Sequence, residues 1–212
     1  MSRYKLLNGP DGLALQDTYS RQKPLTIEFS RLERRLRQAG RRSELLVQAV
    51  KPRQGLKVID CTAGLGTDAL ILAYLGCEVV LVERSRVIAS LLDDAIARAR
   101  TYPSLTNAAG RMRLICTEAA SMIENSPLPD LIYLDPMFPV KNGTALVKGG
   151  MQLLQKFLGP DRDWLELLES VLESGVSKTV LKRPPRDSEW SPPRRPDQVL
   201  ESRNAKFEVY LQ

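Results

Sequence analysis

The stretch from residue 58 to residue 68 (VIDCTAGLGTD) constrains the fold of this chain more than any other. Its first residues are apolar, as in a buried strand, and the apolar run at residues 69–72 is typical of a helix. Gly64 and Gly66 lie between the two and allow the backbone to bend sharply and approach a ligand closely. The first N–H groups of a helix have no partner within it and can bind that ligand. The stretch therefore predicts a strand, a ligand-binding loop and a helix.

The residues of this loop favour a ligand without a phosphate group. A dinucleotide-binding loop has its third glycine where this chain has Asp68. An acid at the start of a helix is also a poor neighbour for a pyrophosphate. A ligand with an amino-acid end fits better, and S-adenosylmethionine is the common one. An ordinary glycine turn in an α/β domain is the alternative.

Strand and helix patterns alternate along residues 55–212, which are predicted to form the main domain. We expect strands at residues 58–61, 78–83, 112–116, 131–134 and 179–182, helices at residues 68–75, 86–100, 146–157 and 164–173, and a closing hairpin at residues 199–202 and 206–211. Strands that alternate with helices form a mostly parallel sheet with helices on both faces. The sequence therefore predicts an α/β fold with a Rossmann-like, doubly wound sheet and an antiparallel C-terminal strand.

Residues 1–54 are predicted to form an extension made of a hairpin and a basic helix. Turn residues at positions 8–12 predict the hairpin. Ser30, followed three residues later by Glu33, predicts a capping box that opens the helix. Arginine is favoured for bidentate contacts with phosphate, so we expect this helix to bind a phosphate backbone; a solvated helix face is the alternative. The arginines are Arg31, Arg34, Arg35, Arg37, Arg41 and Arg42.

Composition excludes several kinds of chemistry. The chain has no histidine, which removes His-dependent catalytic triads and imidazole metal sites, and we expect no metal. Its three cysteines are odd in number and lie in apolar surroundings. This pattern indicates free thiols in a reducing compartment, not disulfides or metal ligands. No apolar run is long enough to cross a bilayer, so we expect a cytoplasmic protein without a membrane partner. The net charge of +6 favours a polyanionic partner.

Acidic residues follow the predicted strands at their carboxyl ends, where open α/β sheets bind ligands. Asp60 ends the first strand. Glu83 ends the second, at about the distance from the glycine loop at which an acid binds ribose hydroxyls; a solvated strand end or an ion pair with Arg84 is the alternative. Glu118 and Ala119 follow the third strand, where they could meet an adenine edge.

Asp135, which ends the fourth strand, lies in the string DPMFP at residues 135–139. A carboxylate can accept an N–H group of an exocyclic base amine and favour the charge that develops on its nitrogen during methyl transfer. Proline stiffens the loop, and Phe138 offers a ring on which a flipped base can stack. These residues predict a pocket for a planar amine; a proline-rich turn with Phe138 in the core is the alternative.

Two groups of residues resemble known families. Residues 60–69 resemble the cofactor loop of class I S-adenosylmethionine-dependent methyltransferases. Residues 133–139 (YLDPMFP), with Lys141 and residues 145–148, resemble more specifically the bacterial small-subunit ribosomal RNA guanine-N2 methyltransferase family, which modifies a guanine near the 3′ end of 16S rRNA. The resemblance covers residues 55–185 and, in outline, the last strand.

The resemblance implies a class I methyltransferase that uses S-adenosylmethionine and acts on 16S rRNA or the 30S subunit. We further expect Lys141 and Lys148 to hold phosphates beside the arginines. The family usually has small hydroxyl residues in place of Glu118 and Ala119, and a longer basic arm in place of the Arg-rich helix. The implied cofactor contacts, together with the loop residues, are Asp60, Ala63, Gly64, Gly66, Thr67, Asp68, Glu83, Arg84, Glu118, Ala119 and Asp135.

Three other interpretations remain open at the level of sequence. An adenine-N6 methyltransferase also has an acid or amide followed by proline and an aromatic residue, although it often has proline where this chain has Met137. A nicotinamide dehydrogenase would lack both its third loop glycine and a histidine base. A non-catalytic RNA-binding assembly factor on the same fold is the third alternative, and the presence of both Glu83 and Asp135 argues against it.

Overall fold

The structure is a computed structural model that describes residues 2–39, 44–138, 149–185 and 192–212. Two sheets and eight α-helices occur within these ranges. The strands are β1 (Tyr4–Gly9), β2 (Gly12–Asp17), β3 (Leu25–Thr26), β4 (Lys57–Asp60), β5 (Glu78–Val82), β6 (Met112–Ile115), β7 (Leu131–Leu134), β8 (Lys178–Arg183), β9 (Gln198–Glu201) and β10 (Lys206–Leu211). The helices are α1 (Glu33–Ala39), α2 (Leu45–Val50), α3 (Thr67–Tyr74), α4 (Arg86–Ala99), α5 (Thr106–Gly110), α6 (Ala119–Glu124), α7 (Gly149–Leu158) and α8 (Trp164–Glu173).

The main sheet has seven strands in the order β6-β5-β4-β7-β8-β10-β9. The first five of these run parallel, whereas β10 runs antiparallel to both β8 and β9. The predicted doubly wound sheet with an antiparallel end is therefore confirmed. Its parallel strands are apolar because both faces are covered: all four residues of β7 are buried, and α3 is buried from Ala69 to Ala73. The carboxyl ends of the five parallel strands lie along one edge, which positions the site described below.

The N-terminal residues pack against the main domain. Strands β1 and β2 form the predicted hairpin, and β3 adds to it as a third strand. The Leu13 amide donates to Asp94 on α4 at 3.0 Å, and Arg98 on α4 donates to the Ile27 carbonyl at 2.6 Å. Leu15 and Phe29 belong to the same buried apolar cluster as the α3 residues. The boundary between residues 54 and 55 stays a prediction.

The predicted capping box at Ser30 is wrong. Residues Phe29–Leu32 form a short 3-10 helix, and α1 begins only at Glu33. The Ser30 hydroxyl donates to the Glu28 carboxylate at 2.9 Å. Since a side-chain acceptor lies two residues before it, the hydroxyl is engaged locally and does not cap α1. Three short helices, α2, α5 and α6, were not expected, because helices of five or six residues show little periodicity.

Two further expectations concern membranes and metals. Within the described ranges, no helix combines the length and apolar character that crossing a bilayer requires. The same ranges contain no group of three or more His, Cys, Asp or Glu side chains placed to hold a metal ion.

The start of the predicted helix at residues 146–157 lies outside the described residues, and α7 is described from Gly149.

Candidate functional site

The glycine loop joins the carboxyl end of β4 to the start of α3. It is held by backbone hydrogen bonds from Cys61 to Tyr133 on β7 (3.0 Å) and from Ala63 to Val82 on β5 (3.1 Å). Gly64 and Gly66 have positive φ angles of 51° and 68°. A Cβ at Gly66 would lie 2.6 Å from the Leu92 side chain, so this position requires glycine on both conformational and steric grounds. The loop joins a strand to a helix, as the sequence predicts, and it lies between the ends of β4, β5 and β7.

Glu83 closes this loop from the neighbouring strand. Its carboxylate accepts the Gly64 amide at 3.0 Å and the Ser85 amide at 2.8 Å. The side chain is buried, and burial raises the pKa of Glu83, against the lowering effect of the two N–H groups. Each oxygen keeps a further lone pair, so a ribose hydroxyl could still donate to it. The ribose role of Glu83 stays a prediction.

Asp60 is a second buried acid, at the end of β4. Its carboxylate accepts the Thr62 amide at 3.1 Å. Burial, together with the nearby carboxylates of Asp68 and Asp135, raises the pKa of Asp60 to about 8, against the lowering effects of the Thr62 amide and Lys182. A cationic ligand bound beside these acids would be stabilised electrostatically.

Asp135 and Asp68 are joined by Lys182, which is not among the site residues predicted from the sequence. Lys182 Nζ lies 2.7 Å from Asp135 Oδ2 and 2.8 Å from Asp68 Oδ2. The Tyr133 hydroxyl donates to the same Asp68 oxygen at 2.7 Å. We call Lys182, Asp68, Asp135 and Tyr133 the lysine bridge. It connects the first turn of α3, which follows the glycine loop, with the end of β7.

The lysine bridge shifts the pKa of each charged member. Burial raises the pKa of Asp135, although Lys182 opposes this shift. Burial acts in the same direction on Asp68, but Lys182, Tyr133 and Arg35 together hold the pKa of Asp68 below its ordinary value. Burial lowers the pKa of Lys182, but the two carboxylates outweigh it and raise that pKa above its ordinary value. Lys182 is therefore a permanent cation between two acids at neutral pH.

One oxygen of Asp135 remains open to a ligand. The Asp135 amide donates to the Thr62 hydroxyl at 2.6 Å, which fixes the backbone where β7 ends. Oδ2 binds Lys182, whereas Oδ1 accepts no hydrogen bond from the residues that the structure describes. The side chain is 38% exposed. Within the described residues, the Oδ1 oxygen of Asp135 is therefore available to a substrate amine.

The residues after Asp135 are held by the segment before α8. Asp161 accepts the Met137 amide at 2.6 Å and donates its own amide to the Met137 carbonyl at 2.9 Å. The Phe138 ring lies edge-on to Trp164, with centroids 5.0 Å apart. Phe138 is only partly buried, so its ring is not a core residue. Its role as a stacking partner for a base stays a prediction.

The other predicted cofactor residues lie at the same edge. Arg84 forms ion pairs with Asp161 and, at 2.7 Å, with Asp163, but not with Glu83. Glu83 is buried, so neither the ion pair with Arg84 nor a solvated strand end describes it. Glu118 is exposed and Ala119 is buried at the start of α6, just after the strand next to β5. Thr67 is the first residue of α3. Their contacts with a cofactor stay predictions.

The basic residues predicted to bind phosphate divide into three groups, apart from Arg37, which pairs with Glu33 at 4.0 Å. Arg31 and Arg34 are exposed and form no ion pair within the described ranges. Arg35 pairs with Glu44 at 2.6 Å and reaches Asp68 at 3.7 Å, so it connects α1 with the lysine bridge. Arg41, Arg42, Lys141 and Lys148 lie outside the described residues.

Similarity to known proteins identifies the family of the chain. A family model described as "Putative SAM-dependent methyltransferase" matches residues 1–212. The chain is 39% identical over 195 residues to ribosomal RNA small subunit methyltransferase J of Thioalkalivibrio sulfidiphilus, covering 89% of this chain and 76% of that protein. It is 38% identical over 210 residues to the protein of the same name from Dechloromonas aromatica, covering 95% and 85% of the two chains. The chain belongs to this methyltransferase family.

A solved structure agrees with this assignment. The crystal structure of a SAM-dependent methyltransferase from Neisseria gonorrhoeae matches with a TM-score of 0.74 and 28% sequence identity, over 97% of this chain and 81% of that one. As a member of the methyltransferase family, the protein is an enzyme that uses S-adenosylmethionine. The glycine loop and the buried acids fit this cofactor, because its ammonium group and its sulfonium both carry positive charge.

Proposed function

We propose that this enzyme methylates the exocyclic N2 amine of a guanine in 16S rRNA. The relatives are named as methyltransferases of small-subunit ribosomal RNA. The sequence string DPMFP carries the resemblance to guanine-N2 enzymes. The 30S subunit or free 16S rRNA would be the substrate, and the reaction would take place in the cytoplasm.

The observation that carries this proposal is the open oxygen of Asp135. S-adenosylmethionine, when bound, supplies an electrophilic methyl group. The guanine amine is a weak nucleophile because its lone pair is delocalised into the base. Asp135 Oδ1 would accept one N–H group, turn the amine toward the methyl group, and take up the proton that the nitrogen releases. Oδ2 is engaged with Lys182, so only one oxygen has to serve the substrate.

The neighbouring residues would hold the two reactants. The loop from Asp60 to Gly66, with Thr67 and Asp68, would bind the amino-acid end of the cofactor, and Glu83 its ribose. Ala63 follows Thr62 in the same loop, and its amide is already bonded to Val82. Arg84, Glu118 and Ala119 would border the adenine. Phe138 would stack on the flipped guanine, while the basic residues Arg31, Arg34, Arg35, Arg41, Arg42, Lys141 and Lys148 would hold RNA phosphates.

The test follows transfer of labelled methyl groups to RNA. Unmodified 30S particles and free 16S rRNA are offered separately, and the product is digested to nucleosides. We expect N2-methylguanosine with the wild-type enzyme and at least about a hundredfold loss in Asp135→Asn, which keeps the shape of the side chain but not its charge. Dissociation constants for S-adenosylmethionine separate loss of chemistry from loss of binding.

The matched control is Asp130→Asn. Asp130 precedes β7 at the opposite edge of the sheet, where it accepts the Lys57 amide at 2.8 Å, and this variant is expected to keep its activity. Label in N6-methyladenosine would replace the proposal by the adenine alternative. Cofactor binding without label in either RNA would leave the assembly-factor interpretation.

A further inference from the structure

The lysine bridge results from the register of the sheet. Tyr133 on β7 pairs with Val180 on β8, and the two strands are parallel. Because side chains on a strand alternate between its faces, the residues two positions later, Asp135 and Lys182, lie on the same face and side by side. The start of α3 covers that face, which brings Asp68 to the same ammonium group.

We propose that Lys182 is a positioning residue for methyl transfer, whose ammonium group holds the Asp135 carboxylate ionised and turned so that Oδ1 meets the target amine. The inference rests on the proposed role of Asp135. Lys182 keeps its proton throughout; the proton released by the amine goes to Asp135 Oδ1 and from there to solvent.

Ionisation is the first reason that the site needs this lysine. A carboxylate that accepts an N–H group and then a proton must begin the reaction charged. Burial opposes that charge, and so do the other carboxylates at this edge of the sheet. Without Lys182, the bridge would hold two acids facing each other with no cation between them. Within the described ranges, the charged or titratable groups that face Asp135 and Asp68 are Lys182 from β8, Tyr133 from β7, Asp60 from β4, Arg35 from α1 and Asp161 before α8.

Orientation is the second reason. Lys182 binds Oδ2 of Asp135, and its other carboxylate partner is itself fixed by the Tyr133 hydroxyl. The ammonium group is therefore held from two sides, and it holds Asp135 in turn. A carboxylate held through one oxygen presents the other in a defined direction. This orientation lowers the entropic cost of reaching the reactive geometry.

Stability alone does not account for this arrangement. A partly buried ion pair contributes little net stability, because desolvation of the charges offsets their attraction. The Lys182 side chain is 27% exposed, so an apolar residue of similar length could occupy its place. What an apolar residue could not supply is the charge.

The experiment compares Lys182→Met and Lys182→Arg with the wild type. Lys178→Met is the matched control, since Lys178 lies at the opposite end of the same strand, where its ammonium group donates to the Val50 carbonyl at 3.1 Å. The first readout is the pH dependence of kcat for RNA methylation. The second is a carbon-13 NMR titration of the aspartate carboxyls in the cofactor-free protein, with Asp135 assigned from Asp135→Asn.

In Lys182→Met we expect the acidic limb of the kcat profile and the titration of Asp135 to move to higher pH together, by about one unit or more. We expect kcat at neutral pH to fall by up to about a hundredfold. Lys182→Arg, which keeps the charge, is expected to retain the wild-type limb with a reduced kcat. Lys178→Met is expected to match the wild type in both readouts.

The inference would be overturned if Asp135 titrated at the same pH in Lys182→Met as in the wild type. It would also be overturned if the acidic limb of the kcat profile of Lys182→Arg were displaced from that of the wild type. The Arg variant decides the question if Lys182→Met does not fold. Failure of the proposed function gives a different result, because a wild-type enzyme that labels no guanine still reveals in the NMR titration whether Lys182 controls Asp135.

Discussion

Asp161 and Met137 are joined by two hydrogen bonds that run in opposite directions. The Met137 amide donates to the Asp161 carboxylate at 2.6 Å, and the Asp161 amide donates to the Met137 carbonyl at 2.9 Å. The other Asp161 oxygen binds Arg84, next to Glu83. One residue therefore fixes the loop that follows Asp135 and ties it to the strand that carries the predicted ribose acid.

We expect Asp161→Ala to weaken both the loop and the reaction. Removing the carboxylate leaves the partly buried Met137 amide without an acceptor, which should lower the free energy of unfolding by about 1–2 kcal/mol. A looser loop should also reduce kcat/KM by about tenfold or more, because Asp135 and Phe138 lose their defined positions. Thermal unfolding and methyl transfer measure the two effects.

Asp163→Ala is the control for this prediction. Asp163 also pairs with Arg84, but it is 54% exposed and does not bind the Met137 amide. An exposed ion pair contributes little, so we expect near wild-type stability and activity. If both variants behaved alike, the Met137 contact would have no special role.

Asp161 and Lys182 show where prediction from the sequence ends. The glycine loop, the parallel strands and the acids at their ends could be predicted, because each depends on local pattern and on the rule that parallel strands end at one edge. The partners of Lys182 depend on the register between β7 and β8 and on how α3 crosses them. In the sequence, the only signal for this contact is that Lys182 lies at the carboxyl end of an apolar strand, where ligands bind in such sheets.

The Arg-rich segment shows a different limit. Its pattern predicts a basic helix, of which α1 forms Glu33–Ala39, yet Ser30 donates to Glu28 and Arg35 pairs with Glu44. Both choices depend on which of several nearby acceptors is closest in three dimensions. Spacing in the sequence identifies the candidate partners but does not rank them.

We expect Gly66→Ala to destabilise the protein severely. A Cβ at this position would lie 2.6 Å from Leu92 and 3.1 Å from Phe29, and the residue has a φ of 68°. Both the clash and the left-handed conformation oppose the substitution, so the free energy of unfolding should fall by about 3 kcal/mol or more. Chemical denaturation measures this loss.

Gly64→Ala separates folding from cofactor binding. Gly64 is also left-handed, with a φ of 51°, but among the described residues a Cβ there would meet only the Thr62 carbonyl, at 3.8 Å. We expect the free energy of unfolding to fall by only about 1 kcal/mol. The folded variant should bind S-adenosylmethionine more weakly, because the alanine methyl group would occupy space that the cofactor needs beside the loop. Unchanged cofactor affinity in Gly64→Ala would place the cofactor elsewhere.

Asp60 should make the cofactor-free protein less stable as the pH rises. Burial raises the pKa of Asp60 to about 8, from an ordinary value of 3.8. The unfolded chain therefore releases this proton at lower pH than the folded protein, so a contribution that is fully present below the ordinary value is lost as the pH rises through about 8. Asp60→Asn should remove this contribution to the pH dependence of stability. The free energy of unfolding of the variant minus that of the wild type should therefore increase by at least about 1 kcal/mol between about pH 5 and pH 8.

Asp197→Asn is the control, because the pKa of Asp197 is shifted in the direction opposite to that of Asp60. The Leu211 amide and Arg194 hold the pKa of Asp197 below its ordinary value. This carboxyl is ionised in both the folded and the unfolded chain across that range, so its replacement should lower stability by an amount that does not change with pH. Denaturation curves at several pH values test both variants, and a parallel response of the two would contradict the assignment for Asp60.

Arg31 and Arg34 should contribute to RNA affinity through charge alone. Both side chains are exposed and form no ion pair within the described ranges, so each is available to a phosphate. We expect Arg31→Ala with Arg34→Ala to weaken RNA binding and to reduce the slope of log affinity against log salt by about 0.7–0.9 per arginine. Arg111→Ala is the control, because Arg111 precedes β6 at the opposite edge of the sheet, 3.8 Å from Glu78. An equal change of slope in the control would mean that RNA responds to net charge and not to this helix, whereas a change confined to the double variant would make α1 and the turn before it part of the RNA surface.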